Sequence, residues 1–159
     1  MGSTDVLVVG VDGSPDSRLA LEYAVSEAVL RGAALRVVSA FESAGIFGDR
    51  YDVPIPVSDQ QIAEKVEAEM VTLINEVIGT RPDVPKVQVV VQAGVTGRVL
   101  TEASADADML IVGHRGRGEV ASALLGSVGL YCVLHARCSV TVVRPRGELH
   151  TEEALPTNP

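Results

Sequence analysis

Apolar residues along this chain fall into short solid runs separated by longer stretches of helical spacing. Residues 5–11 read DVLVVGV, 34–41 ALRVVSAF, 86–92 KVQVVVQ, 108–112 DMLIV and 139–143 SVTVV. Runs of this length, rich in β-branched residues and bounded by turn residues, predict buried strands. Between them the apolar positions recur every three or four residues. Leu21, Ala24, Val25, Ala28 and Val29 do so after the first run, and Ile62, Val66, Met70, Leu73 and Val77 after the second. Both stripes predict amphipathic helices laid on a core. Ser14-Pro15 and Ser58 are start signals, and Arg31-Gly32 and Gly79 are stops. A short helix with Val99, Leu100 and Ala103 follows the third strand, and a last helix covers residues 127–136.

The resulting order, β-α-β-α-β-α-β-α-β, predicts an α/β domain. Its sheet is open, parallel and doubly wound, with right-handed crossovers and helices on both faces. Two stretches break the alternation. Residues 42–57 contain Gly45, Gly48, Pro54 and Pro56, with Phe41, Phe47 and Tyr51 in or beside them. A connection that long is either functional or mobile. From Arg144 onward the chain is polar and holds Pro145, Pro156 and Pro159. The expectation is a domain over residues 1–145 and a frayed tail over 146–159.

Composition narrows the function classes. The 159 residues fit one domain, and 47% of them are hydrophobic while only 3% are aromatic. That balance suits a Val/Ala/Leu-rich sheet covered by helices. Thirteen basic against 21 acidic residues give a net charge of −8. Such a surface argues against nucleic acid and anionic membranes as partners. No apolar run approaches the roughly 20 residues of a membrane span, and the first residues do not read as a leader, so a cytoplasmic protein is expected. Cys132 and Cys138 are the only cysteines. They read as structural thiols, since neither a disulfide framework nor a zinc site suits them.

Ligands of doubly wound sheets bind at the carboxyl ends of the strands. Three turns reach that edge, at residues 10–14, 94–97 and 113–118. The third begins the spacing Gly113-x2-Gly116-x9-Gly126-Ser127. Gly113 and Gly116 let backbone come close to a ligand. Gly126-Ser127 opens the last helix, whose N–H groups and macrodipole attract anions. Arg115 and Arg117 are candidate phosphate partners or, more simply, solvated loop charges. Together these groups suit a di- or triphosphate. Asp12 can accept hydrogen bonds from a ribose or hold a divalent ion; equally, Asp12 and Ser14 can serve only to cap the first helix. His114 has no visible acid partner and Ser127 no triad. Arg98 reads as a surface arginine.

Competing phosphate motifs fail. The chain has no G-x-x-x-x-G-K-[ST]. Residues 116–121 fit G-x-G-x-x-A but follow the fourth strand, with no acidic residue about 20 positions further on.

Val9-Gly10-Val11-Asp12-Gly13-Ser14, the glycine spacing above and Val140-Thr141-Val142-Val143-Arg144-Pro145 together resemble the universal stress protein family, in its ATP-binding branch, over residues 5–145. The resemblance implies a Rossmann-like sheet in the order 3-2-1-4-5. It implies that Asp12 faces ribose or Mg²⁺, that Ala40 and Val112 lie by the adenine, and that Gly113, Arg115, Gly116, Gly126, Ser127 and Val128 surround ribose and phosphates. Gly129 departs from the pattern, in which Ser or Thr is common. The implied partners are ATP, with ADP or cAMP as alternatives, Mg²⁺ carried with the nucleotide, and a second copy paired through residues 139–143. The implied role is a regulatory stress-response module with slow or no hydrolysis. Two other readings stand beside it: an interaction module that needs no nucleotide, and a weak ATPase or phosphoryl or adenylyl transferase.

Overall fold

A computed structural model describes residues 5–43, 57–116 and 125–146. The elements follow the expected alternation: β1 (Val6–Gly10), α1 (Pro15–Arg31), β2 (Ala34–Phe41), α2 (Asp59–Ile78), β3 (Val87–Ala93), α3 (Thr96–Ala103), β4 (Met109–Gly113), α4 (Ser127–His135) and β5 (Ser139–Val143). The five strands are all parallel and lie in the order β3-β2-β1-β4-β5. The order reverses between β1 and β4, so a crevice opens above their carboxyl ends.

Alternation along each strand divides the core into two layers. Leu7, Val9, Leu35, Val37 and Ile111 face one side, against Ala20, Leu21, Ala24, Val25 and Ala28 of α1 and Met70 and Ile74 of α2. Val8, Val38, Leu110 and Val112 face the other, against Val99 and Leu100 of α3 and Cys132 of α4. With both faces covered, the central strands carry continuous apolar sequence rather than a polar alternation. Each fully buried Leu or Val contributes about 1.5–3 kcal/mol relative to exposure.

Two strands run one residue past the ends that polarity suggests. Ala93 pairs with Phe41, and Gly113 with Val143. Backbone pairing, not side-chain character, sets those ends. The first expected strand is shorter than its apolar run, ending at Gly10, although the Val11 N–H still donates to the Val38 carbonyl at 2.9 Å. The long stretch between β2 and α2 falls largely on residues 44–56, and the tail on 147–159, both outside the described residues.

Caps fix how helices meet the carboxyl edge. Ser14 caps α1, its Oγ accepting from the Ser17 N–H at 3.2 Å, and Pro15 follows where no N–H is needed. Ser58 and Gln61 form a reciprocal capping box at the start of α2. Neither α3 nor α4 has a side-chain cap.

Candidate functional site

A cavity of about 410 Å³ lies in the crevice at the carboxyl edge. Asp12, Ala40, Val112, Gly113, Arg115, Gly116, Gly126, Ser127 and Val128 all line it. They come from the β1–α1 turn, the end of β2, the end of β4 with its following loop, and the start of α4. Segments far apart in sequence are thus gathered by the sheet order alone.

Asp12 has both a turn-building oxygen and a site-facing one. Its Oδ1 accepts from the Ser14 N–H at 2.9 Å, closing the tight turn before α1. Its own N–H donates to Ser17 Oγ at 3.3 Å, and that hydroxyl donates to the Ser14 carbonyl at 2.9 Å. Its Oδ2 lies 2.9 Å from the point a Cβ on Gly116 would occupy. The first turn and the glycine loop therefore touch, with the carboxylate between them.

The glycines divide their work. A Cβ on Gly113 would sit 2.8 Å from the Asp16 carbonyl carbon and 3.1 Å from the Ser17 nitrogen. Gly113 therefore lets β4 approach the backbone of α1, a packing role that the spacing alone does not reveal. The Arg115 N–H donates to Asp16 Oδ2 at 3.0 Å, which pins the loop to the same helix end. Gly116 is different: its missing side chain leaves room for the Asp12 carboxylate. Arg117 and Gly118 lie outside the described residues.

His114 holds the far side of the loop. Its N–H donates to the Val143 carbonyl of β5 at 2.8 Å, and its carbonyl accepts from the Gly126 N–H at 2.9 Å. The residue is buried. Gly126 then forms the N-cap of α4, whose first intrahelical bond runs from the Leu130 N–H to the Gly126 carbonyl at 2.9 Å. The N–H groups of Ser127, Val128 and Gly129 precede that bond, and this helix end borders the cavity. It is an electropositive end in the sense that anions seek. Gly129 also lines the cavity, and a Cβ there would meet the Leu125 Cδ1 at 2.9 Å, a side-chain end able to turn away.

The opposite end is apolar. Ala40, Phe41, Val66, Met70, Leu100 and Val112 line it. Val66 and Met70 belong to the stripe expected to be core. Met70 is core, yet it also reaches the cavity because α2, packed on β2 and β3, borders the carboxyl edge. Ser17, Glu69 and Thr96 are further lining residues that spacing did not single out. For Glu69 a signal existed: it sits three residues after Val66 and next to Met70, on the margin of the apolar stripe.

The donor set bears on metal binding. Among the described residues no group of three or more His, Cys, Asp or Glu side chains is placed to hold an ion. A resident metal site is therefore not built by these side chains. Mg²⁺ arriving on a phosphate chain needs only one or two carboxylates, since phosphate and water supply the rest. Asp12 fits that lesser demand. Away from the cavity, Arg98 pairs with Glu102 on the surface at 3.1 Å. Cys132 and Cys138 are unbridged, and Cys132 is fully buried. Among the described residues no helix is long and apolar enough to cross a membrane.

A model of the universal stress protein family matches residues 4–144. The chain belongs to the universal stress protein family. Among its relatives, universal stress protein Rv2624c of Mycobacterium tuberculosis is 33% identical over 140 residues, 88% of this chain and 48% of its own length. Universal stress protein Rv2005c of the same organism is 39% identical over 142 residues, 87% of this chain and 45% of its own length. The chain thus spans about half the length of the curated relatives it matches. Solved structures share the fold. Universal stress protein UspA from Lactobacillus plantarum superposes with a TM-score of 0.69 at 20% identity, covering 91% of this chain and 100% of that one. A universal stress protein in complex with cAMP gives 0.61 at 20% identity, covering 90% and 98%. The Archaeoglobus fulgidus universal stress protein in complex with dAMP gives 0.57 at 20% identity, covering 89% and 98%.

Proposed function

We propose that this universal stress protein binds an adenine nucleotide, ATP in the first place, as a dimeric regulatory module with slow or no hydrolysis. One observation carries the reading. Residues from four separate chain segments, of types suited to phosphate, ribose and base, line a single cavity with an uncapped helix N-terminus at one end. In this pose Ala40 and Val112 flank the adenine and Asp12 serves the ribose or Mg²⁺. Gly113, Arg115, Gly116, Gly126, Ser127 and Val128 surround the sugar and phosphates. Mg²⁺, when bound with the nucleotide, neutralises phosphate charge. The cAMP and dAMP carried by two fold neighbours support an adenine ligand.

Slow or absent hydrolysis is part of the proposal because, of the two carboxylates among the described residues that line the cavity, Asp12 meets the glycine loop while Glu69 lies by Val66 and Met70. Dimerisation through β5 is supported by its place at the sheet edge and by the exposed Leu130, Val133 and Leu134 on the neighbouring α4. The proposed setting is the cytoplasm, where the two unbridged thiols are in keeping with a reducing medium.

Calorimetric titration with ATP, ADP and cAMP, with and without Mg²⁺, tests the reading. The expected result is saturable heat with ATP and a raised melting temperature. No heat and no thermal shift at millimolar nucleotide overturns it.

A further inference from the structure

Of the glutamates in the described helices, Glu67 and Glu69 are the two without a hydrogen bond or ion pair, and of these two Glu69 lines the cavity. Glu22, Glu27, Glu76 and Glu102 pair with arginines, and Glu64 accepts from Gln60. Glu69 forms no hydrogen bond or ion pair with any described residue. It lines the cavity instead, on the rim where a second groove, holding Gly13 and Lys65, adjoins it. Its helix neighbours at that rim are Val66 and Met70, which belong to the apolar end.

The two ends of the cavity demand opposite chemistry. Phosphates go to the start of α4 and a flat base to the apolar end. An ionised carboxylate can only accept hydrogen bonds. Placed beside the N6–N7 edge of the base, it favours a 6-amine, which donates, and opposes a 6-carbonyl, which leaves that edge with acceptors alone. We infer that Glu69 is a specificity-determining residue that selects a 6-aminopurine over a 6-oxopurine. The inference rests on the adenine-nucleotide reading above. A site that reads a hydrogen-bonding group rejects the analogue lacking it, because its own group is left unmatched. At an exposed rim the effect is modest, about tenfold in affinity.

The test compares ATP with ITP, which differ in the amine or carbonyl at position 6 and in N1, which carries a proton only in ITP, and with 2′-deoxy-ATP. Each is titrated into the wild type, Glu69→Gln and Glu69→Ala. Glu69 is exposed, so both variants are expected to fold, and urea melts check this. The expected result is a wild type that prefers ATP to ITP about tenfold, and a ratio near one for Glu69→Gln, whose amide both donates and accepts. Unchanged ATP/ITP ratios in both variants overturn the inference while leaving nucleotide binding intact. So does a change confined to the ATP/2′-deoxy-ATP ratio, which places Glu69 at the ribose. A wild type that binds none of the three overturns the adenine-nucleotide reading and this inference with it.

Discussion

At the scale of single residues, Gly113 and Gly116 make different contacts. A methyl group on Gly113 meets α1 backbone, which cannot step aside. Gly113→Ala is expected to lower stability by about 1–3 kcal/mol, read as a fall in the urea midpoint. A methyl group on Gly116 meets only the Asp12 carboxylate, a side-chain end that can move. Gly116→Ala is therefore expected to keep a near-native midpoint but to weaken ATP binding by displacing Asp12, read by calorimetry. Equal loss of stability in both variants would contradict this division. Cys132 gives a pH test. Burial, and then the neighbouring Cys138, push its thiol up to about 11 from an ordinary 9.0. The unfolded chain releases that proton first, so the contribution is complete below pH 9 and is lost as pH rises through about 11. Urea melts across this window should show the wild type losing more stability than Cys132→Ala.

At the scale of elements, the helix pair α3 and α4 meets through a small residue against a ring. A Cβ on Gly97 would lie 2.7 Å from Tyr131 Cδ1. Gly97→Ala should cost about 1–3 kcal/mol, and Tyr131→Ala in the same chain should recover part of the loss, a coupling that a double-mutant cycle measures. Additive losses would show that the contact does not matter. The elements themselves were legible in the sequence, because period-two and period-3.6 patterns with Ser14, Ser58, Gly32 and Gly79 as punctuation arise from local chemistry. The parallel, doubly wound class followed from the alternation. What stayed illegible depends on tertiary approach. Nothing local distinguishes Gly113, which packs on α1, from Gly116, which makes room for Asp12. Likewise Val66 and Met70 carry the marks of core residues, and only the packing of α2 on β2 and β3 brings them to the cavity. Glu69, on the margin of their apolar stripe, carries a partial signal that only the fold completes.

At the scale of the whole molecule, the sheet order does the assembling. β1 and β4 are neighbours although a long stretch of chain separates them. Their carboxyl ends bring Asp12 beside Gly116, while His114 ties β5 to the start of α4 through its backbone. One edge strand and one anion-attracting helix end are thus joined across a single residue. Sedimentation is expected to show a dimer at micromolar concentration, and a monomer there would contradict the β5 interface. The central claim is that an adenine nucleotide occupies the carboxyl-edge cavity. Photolabelling with 8-azido-ATP, followed by peptide mapping, tests it most directly. The predicted result is saturable label, blocked by excess ATP, on peptides containing Ala40 or Val66 to Met70. Label that ATP does not block, or that falls on peptides remote from this cavity, would contradict it.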